Sequence, residues 1–141
     1  MNADHALVFD NEAAQALVDP RHPKHRGVMG FVAAHATRAR RQRTGLALLL
    51  PTVVRVEAGL DRRATTTTAL GRLRVRDVVL DSGRADRAVG LRRLAPGSLV
   101  DACVAEAAAS EAASVTVLTA DLTDLPALLA AASSSSQVHR V

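Results

Sequence analysis

Short apolar runs alternate along the chain with longer segments in which apolar residues recur at helical spacing. The runs cover residues 6–9, 46–50, 78–80 and 115–118, with a last edge strand expected at 137–141. Their apolar residues are consecutive, which is typical of strands buried on both faces. Helices are predicted over residues 11–18, 27–43, 51–63, 82–94, 98–113 and 121–132, with a weaker helical piece at 70–75. This alternation predicts a parallel sheet in a three-layer α/β/α sandwich, formed by a single domain over residues 1–141.

The length and composition narrow the class of protein. A chain of 141 residues suits one hydrophobic core. No apolar run approaches the roughly 20 residues that span a bilayer, and the first residues lack the pattern of a secretory signal. The one cysteine, Cys103, has no partner for an internal disulfide, and no Cys/His cluster has zinc-site spacing. We therefore expect a cytoplasmic protein with no membrane segment.

The charge distribution indicates a polyanionic partner. The net charge is +4, and the basic residues are concentrated in two clusters. The first contains Arg21, Lys24 and Arg26, and the second contains Arg38, Arg40, Arg41 and Arg43. Phe9 and Phe31 are the only aromatic residues, so stacking of nucleic-acid bases is not expected and contacts from arginine to phosphate should dominate. Solvated helix faces remain an equal alternative for either cluster taken alone.

Five acidic residues follow the predicted strands or lie in the helices that pack on them. They are Asp10, Glu57, Asp101, Asp121 and Asp124. The carboxyl ends of parallel strands meet at one edge, which places Asp10 and Asp121 together. Gathering carboxylates is costly unless a cation neutralises them. Each acid also has a simpler explanation, because Asp10, Asp121 and Asp124 can cap helices and Asp101 suits the first turn of a helix.

Glu57 is the acid that capping does not explain. Its neighbours at helical spacing are Val53, Val54 and Leu60, so we expect it on the buried side of its helix. A buried glutamate needs a cation shared with other acids, or an arginine partner. Mg²⁺ and Mn²⁺ prefer oxygen ligands and can activate water at a phosphate. No glycine-rich phosphate loop is present.

In their order and separation, four segments resemble the PIN-domain ribonucleases, and specifically the VapC-like toxins of type II toxin–antitoxin pairs. The segments are residues 7–10 (LVFD), 50–57 (LPTVVRVE), 99–102 (LVDA) and 117–125 (VLTADLTDL). The resemblance covers nearly the whole chain and implies a PIN-like fold with an acidic pocket that binds Mg²⁺ or Mn²⁺.

The resemblance also implies roles for individual residues. Asp10, Asp101 and Asp121 match the metal-binding acids, and Glu57 matches a fourth catalytic acid that often acts through water. Thr119 and Asp124 match residues that support the site. The implied substrate is RNA, often tRNA or ribosomal RNA, and the implied partners are a cognate antitoxin and a second copy in a homodimer. One departure is that Asn11 and Glu12 follow the first acid, where small or hydroxyl residues are usual.

Three functional hypotheses follow. The first is a metal-dependent endoribonuclease, with both arginine clusters holding the RNA backbone. The second is a catalytically weak or inactive module that binds RNA or protein, motivated by Asn11 and Glu12. The third is a structure-specific DNA nuclease. Residues 27–36, with their small apolar side chains, are expected to pack on a second copy, on an antitoxin helix, or on their own sheet.

Overall fold

A five-stranded parallel sheet forms the centre of the molecule. The structure is a computed structural model that describes residues 3–141. The strands are β1 (His5–Phe9), β2 (Leu46–Pro51), β3 (Arg76–Val78), β4 (Ser114–Thr119) and β5 (Gln137–Arg140). Their order across the sheet is β3-β2-β1-β4-β5, and every neighbouring pair is parallel. The predicted α/β fold is confirmed.

Seven α-helices and one 3-10 turn connect the strands. They are α1 (Asn11–Val18), α2 (His25–Gln42), α3 (Thr52–Ala58), the 3-10 turn (Thr65–Thr67), α4 (Thr68–Arg72), α5 (Ser82–Leu94), α6 (Leu99–Ser110) and α7 (Asp124–Ala131). The chain moves from β1 through β2 to β3 on one side, and then crosses to β4 on the other side of β1. Right-handed crossovers therefore place α2 and α6 on opposite faces. The reversal creates a crevice between the carboxyl ends of β1 and β4, which is where parallel sheets bind ligands.

The core is built from consecutive apolar residues of the central strands. Ala6, Leu7, Val8 and Phe9 of β1 are completely buried. On one face, α6 contributes buried residues from Ala102 to Ala108 that are mostly small, apart from the ion-paired Glu106, and this lets the helix lie close to the sheet. Each fully buried leucine stabilises the fold by about 1.5–3 kcal/mol. These contacts fix the strand ends, and with them the residues that follow each strand.

Several boundaries differ from the predicted ones, including α4, predicted at 70–75, and the end of α6, predicted at 113. Helix α3 ends at Ala58, not at residue 63, because Gly59 adopts a left-handed conformation (φ +69°) that stops it. Helix α7 begins at Asp124 and not at residue 121. Strand β3 covers Arg76–Val78, and Val79, predicted as strand, is 62% exposed. Within residues 3–141, no helix has the length and apolar character needed to cross a bilayer.

Candidate metal centre

Asp10 lies at the carboxyl end of the central strand and begins α1. Its Oδ1 accepts a hydrogen bond from the Ala13 N–H (3.0 Å), which caps the helix. Its Oδ2 accepts one from the Ala120 N–H (3.3 Å), which links β1 to the loop after β4. Burial raises the pKa of the Asp10 carboxyl, and the charge of Asp101 raises it further. Hydrogen bonds from Thr119, Ala13 and Ala120 act in the opposite direction.

Asp101 reaches the same edge of the sheet from the first turn of α6. Ser98 and Asp101 form a capping box, in which the Asp101 N–H donates to Ser98 Oγ (3.0 Å) and the Ser98 N–H donates to Asp101 Oδ2 (3.3 Å). The box fixes the direction of the Asp101 side chain. It occupies Oδ2 and leaves Oδ1 without a hydrogen bond within the described chain.

Asp121 follows β4 and is held by a fully buried hydroxyl. Its N–H donates to Thr119 Oγ1 (2.9 Å), and its Oδ1 accepts from the N–H groups of Thr123 (2.8 Å) and Asp124 (3.2 Å). This turn explains why α7 starts three residues later than predicted. The second carboxylate oxygen of Asp121 is free of hydrogen bonds to residues 3–141. So are both carboxylate oxygens of Asp124.

Asp101 and Asp121, predicted as metal ligands, come together with Asp124, which was predicted only to support the site, whereas Asp10 is not in this group. Oxygen atoms of Asp101, Asp121 and Asp124 all lie within 4.8 Å of one another. Ligands on opposite sides of Mg²⁺ are about 4.2 Å apart, so small side-chain movements would let all three bind one cation. Within the described residues, no lysine, arginine or histidine forms an ion pair with these carboxylates or with Asp10. A divalent cation fits this donor set of free carboxylate oxygens.

Glu57 is not part of this group. It is exposed, which contradicts the predicted position on the buried side of α3. The helix ends at Ala58, so Leu60, although buried, lies beyond the left-handed Gly59 and is not on the same helical stripe as Glu57. The Asn11 side-chain amide donates to Glu57 Oε1 and so ties this acid to the residue after Asp10. The alternative prediction, an arginine partner for Glu57, is not met by any ion pair within residues 3–141.

Glu12, the second departure from the family pattern, is paired with basic side chains and is not part of the acidic group. Its Oε1 pairs with His22 Nε2 (3.3 Å) and with Lys24 Nζ (3.4 Å). The loop between α1 and α2 thereby folds back onto the first turn of α1. Glu12 is engaged there, and it adds no carboxylate to the cluster.

Three residues that shape the site were not predicted from the sequence. Ser98 and Asn11 hold Asp101 and Glu57 through the hydrogen bonds described above. Gly97 lies against α7, where an added Cβ would be 2.5 Å from Leu128 Cδ1 and 3.7 Å from Asp124 Cβ. The segment Gly97-Ser98-x-x-Asp101 contains the capping-box spacing, which would have identified Ser98. Nothing in the sequence indicates the close approach at Gly97.

The two basic clusters lie at different ends of the sheet. The pairing of Glu12 with Lys24 places this member of the first cluster at the first turn of α1, which begins after Asp10. Helix α2 then runs back along the sheet and ends next to Gly45, whose carbonyl accepts from the Asp4 and His5 N–H groups at the start of β1. The second cluster is therefore at the amino ends of the strands. It is not beside the acids, as a common phosphate-binding role would require.

Comparisons with known proteins give one kind of match. No family model matches the chain, and no curated protein matches it in sequence. Among solved structures, it is similar to VapBC2 from Rickettsia felis, determined bound to a DNA fragment from the promoter of that pair. The TM-score is 0.60 with 12% identity, and the match covers 96% of this chain and 98% of the other. The chain has a VapC-like fold. At this identity the VapC-like similarity concerns the fold alone.

Proposed function

We propose that the protein is a metal-dependent endoribonuclease, the toxin of a toxin–antitoxin pair, that cleaves RNA by attack of an activated water on a phosphodiester. The supporting observation is the group of Asp101, Asp121 and Asp124 oxygens within 4.8 Å, with no basic side chain of the described chain paired to them. The VapC-like fold supports the same assignment. Carboxylates placed this closely repel one another, and a bound cation would relieve that repulsion.

Each acid has a distinct role in this proposal. Asp10, Asp101 and Asp121 bind Mg²⁺ or Mn²⁺, and Asp124 supports them as a nearby fourth acid. The cation, when bound, stabilises the charge on the phosphate and lowers the pKa of water. Glu57, held by Asn11, orients or deprotonates the attacking water at the open side of the site. Thr119 keeps Asp10 and Asp121 in register through its buried hydroxyl.

The first basic cluster supplies the binding of RNA beside these acids. Arg21 and Arg26 are exposed, and Lys24 lies next to the first turn of α1. Their charges attract the phosphates that flank the scissile bond, and such contacts carry no base information. The choice between tRNA and ribosomal RNA therefore depends on the shape of the RNA.

Asp10→Asn tests the proposed chemistry. Asparagine keeps the size of the side chain and remains a good N-cap, so the fold should persist. The expected result is loss of Mg²⁺-dependent cleavage by at least about 100-fold, since losing even an outer-sphere partner of a metal ligand costs about 10–100-fold. The assay uses a mixed RNA pool, with single-stranded DNA and flapped duplex DNA in parallel.

The control is Asp81→Asn. Asp81 also caps a helix, accepting from the Arg84 N–H (2.8 Å), and it is exposed at the start of α5. This variant should cleave like the unaltered protein. Undiminished cleavage by Asp10→Asn would reject the mechanism. Cleavage of flapped DNA and not RNA would favour the DNA nuclease. Absence of both cleavage and Mn²⁺ binding in calorimetry would favour the non-catalytic module.

The partners are proposed from an exposed stripe on α2 together with the fold. Val28 and Val32 pack on the sheet, whereas Gly27, Gly30 and Ala34 are exposed on the other side of the helix. Small side chains allow a second helix to approach closely. We assign this stripe to a homodimer partner or to an antitoxin helix, and light scattering that shows a clean monomer would remove the dimer. The cytoplasmic location stays a prediction.

A further inference from the structure

We infer that the amino ends of the strands contain a second site for nucleic-acid backbone, separate from the acids. The site is a cavity of about 450 Å³ bordered by three arginines, Arg40, Arg74 and Arg76, which we call the arginine rim. This inference goes beyond the proposed function and does not require that the acids cleave RNA. Its ligand is the phosphodiester backbone of an RNA or DNA strand.

The cavity exists because the sheet is incomplete at this corner. Strand β3 pairs with β2 only from Leu49 onward, so Leu46, Ala47 and Leu48 have no β3 neighbour. The second half of α2 covers one side of this gap, and the turn between α4 and β3 covers the other. The result is a cavity with an apolar floor and an arginine from each bordering element.

The rim arginines are free of acidic partners in the part of the chain that the structure describes. Elsewhere, Arg55, Arg62, Arg63, Arg84 and Arg87 each bind a carboxylate. Arg40, Arg74 and Arg76 are exposed and form no ion pair within residues 3–141. The acids at this end are Asp4, which accepts from the Gly45 N–H (2.7 Å), and Glu111, which lines a neighbouring cavity with Arg76. Two carboxylates leave the arginine-rich end strongly positive.

Two arginines at this end occupy backbone conformations that favour glycine. Arg74 (φ +56°), at the rim, and Arg43 (φ +55°), at the end of α2, are both left-handed. Helices usually end on glycine in this conformation because other side chains clash with the backbone. Here two arginines occupy such positions, which places their guanidinium groups at the same end of the molecule.

The ligand class follows from the positive charge of the arginines and from the length of the surface that they line. Guanidinium groups bind phosphates in bidentate geometry and are weakly hydrated. Beyond the rim, Arg38 lines an adjoining cavity with His5 and His35, so the positive surface continues along the end of α2. A surface of this length matches a row of phosphates and exceeds a single small anion.

The separation from the acids limits which nucleic acids can touch both sites. The strand residues that line the cavity pair with β1 between His5 and Leu7, three to five residues before Asp10. At about 3.3 Å per residue, this places them about 10–17 Å from Asp10 along the strands. That distance corresponds to about three to five phosphates at 3.4 Å spacing along one strand of a duplex.

The test measures binding of fluorescein-labelled 16-nucleotide single-stranded RNA, and of duplex DNA of the same sequence, in EDTA. The variant R40Q/R76Q should raise Kd about tenfold. The slope of log Kd against log salt concentration should also become shallower by about 1.4 for the single strand. This corresponds to about 0.7 for each of two phosphates that are no longer neutralised. The arm with the larger change identifies RNA or DNA as the source of the backbone.

The matched control is R92Q/R93Q, which removes two exposed arginines that form no ion pair within residues 3–141 from the last turn of α5. It should change Kd less than about twofold. R40K/R76K should retain most of the binding, and thermal melting verifies the fold of every variant. Equal weakening by the two glutamine pairs would overturn the site, because it would show an effect of net charge alone. Unchanged binding by R40Q/R76Q, or tight binding of polyglutamate peptide at the rim in place of nucleic acid, would also overturn it.

Discussion

The two ends of the parallel sheet collect opposite charges. The carboxyl end holds Asp10, Asp101, Asp121 and Asp124, and the amino end holds the arginine rim and the histidine His5. One strand, β1, joins the two environments within five residues. The fold therefore separates an acidic end of the sheet from a basic end, which the net charge of +4 does not reveal.

The two titratable groups at the ends of β1 show the separation most directly. Burial raises the pKa of Asp10, and the neighbouring negative charge of Asp101 adds to the effect. Burial lowers the pKa of His5, and the positive charges of His35 and Arg38 add to the effect. In both cases the neighbours have the same charge as the group itself. Each end therefore makes the charged form of its titratable group less favourable than it is in water.

The largest expected effect comes from Gly97→Ala, which disturbs the carboxyl end alone. Its Cβ would overlap Leu128 and push α7, with Asp124, away from α6. We expect the free energy of unfolding to fall by about 1–3 kcal/mol, measured by urea denaturation, with metal-dependent cleavage falling in parallel. RNA binding at the arginine rim in EDTA should stay unchanged.

Gly90→Ala is the control for Gly97→Ala. Gly90 lies inside α5 and has no atom within 4 Å of an added Cβ. Alanine is the better helix former there, so stability should rise by about 0.5–1 kcal/mol. If both variants lowered stability equally, the close contact at Gly97 would be unimportant.

Two threonines of β4 provide the next test, because one faces each end. Thr119→Val removes the hydroxyl that lowers the pKa of Asp10. Ionised Asp10 should then form only at higher pH, so the acidic limb of the pH–cleavage profile should shift to higher pH. The loss of the hydrogen bond to the Asp121 N–H should cost about 1 kcal/mol.

Thr116→Val is the matched substitution toward the amino end. Its hydroxyl contacts His5 Nε2 (3.2 Å), and it is almost as buried as Thr119. This variant should leave the pH–cleavage profile unchanged. Thr119→Ser, which keeps the hydroxyl at position 119, should show the profile of the unaltered protein. A shift of similar size in Thr116→Val would show that the effect is not local to the acids.

The smallest expected effects are on the pH dependence of stability without metal. Asp10 has a raised folded pKa, so its contribution is complete below its ordinary value of 3.8 and is lost as pH rises through the folded pKa. His5 has a lowered folded pKa, so its contribution is present above its ordinary value of 6.5 and is lost as pH falls toward the folded pKa.

Urea denaturation at a series of pH values, in EDTA, separates these two effects. The stability advantage of the unaltered protein over Asp10→Asn, as a difference in free energy of unfolding, should shrink as pH rises. Mg²⁺ added in excess over the EDTA should reduce that loss. The difference from His5→Asn should change in the opposite direction and should not respond to Mg²⁺. A response of both differences to Mg²⁺ would contradict the separation of the two ends.

Most of the fold was predictable because the central strands β1, β2 and β4 contain runs of buried, mostly apolar residues, unlike the edge strands β3 and β5. The helices α1 and α5 begin and end where their patterns predict, with Asp10 and Asp81 as caps. The errors occur where a single backbone conformation decides. Gly59 ends α3 by turning left-handed, although the apolar spacing continues to Leu60. A periodic pattern does not contain that information.

The candidate site was predictable in its residue types and less so in its geometry. Strand ends place Asp10 and Asp121 at one edge, as topology requires. The meeting of Asp101 with Asp124 depends on how α6 packs against α7, which is a long-range contact. Glu57 was assigned to a buried stripe because its helix was expected to be longer. The separation of the two basic clusters depends on the direction of α2 relative to the sheet.

The double use of the site carboxylates affects how related sequences should be interpreted. Asp10, Asp101 and Asp121 each hold the backbone of a turn or a helix start through one of their oxygens. A relative that had lost the proposed activity would still need a side chain that accepts these backbone hydrogen bonds at the three positions. Asp124 accepts no hydrogen bond from any residue between 3 and 141. Loss of Asp124 in a relative would therefore indicate a lapsed activity more directly than survival of the other three would indicate a working one.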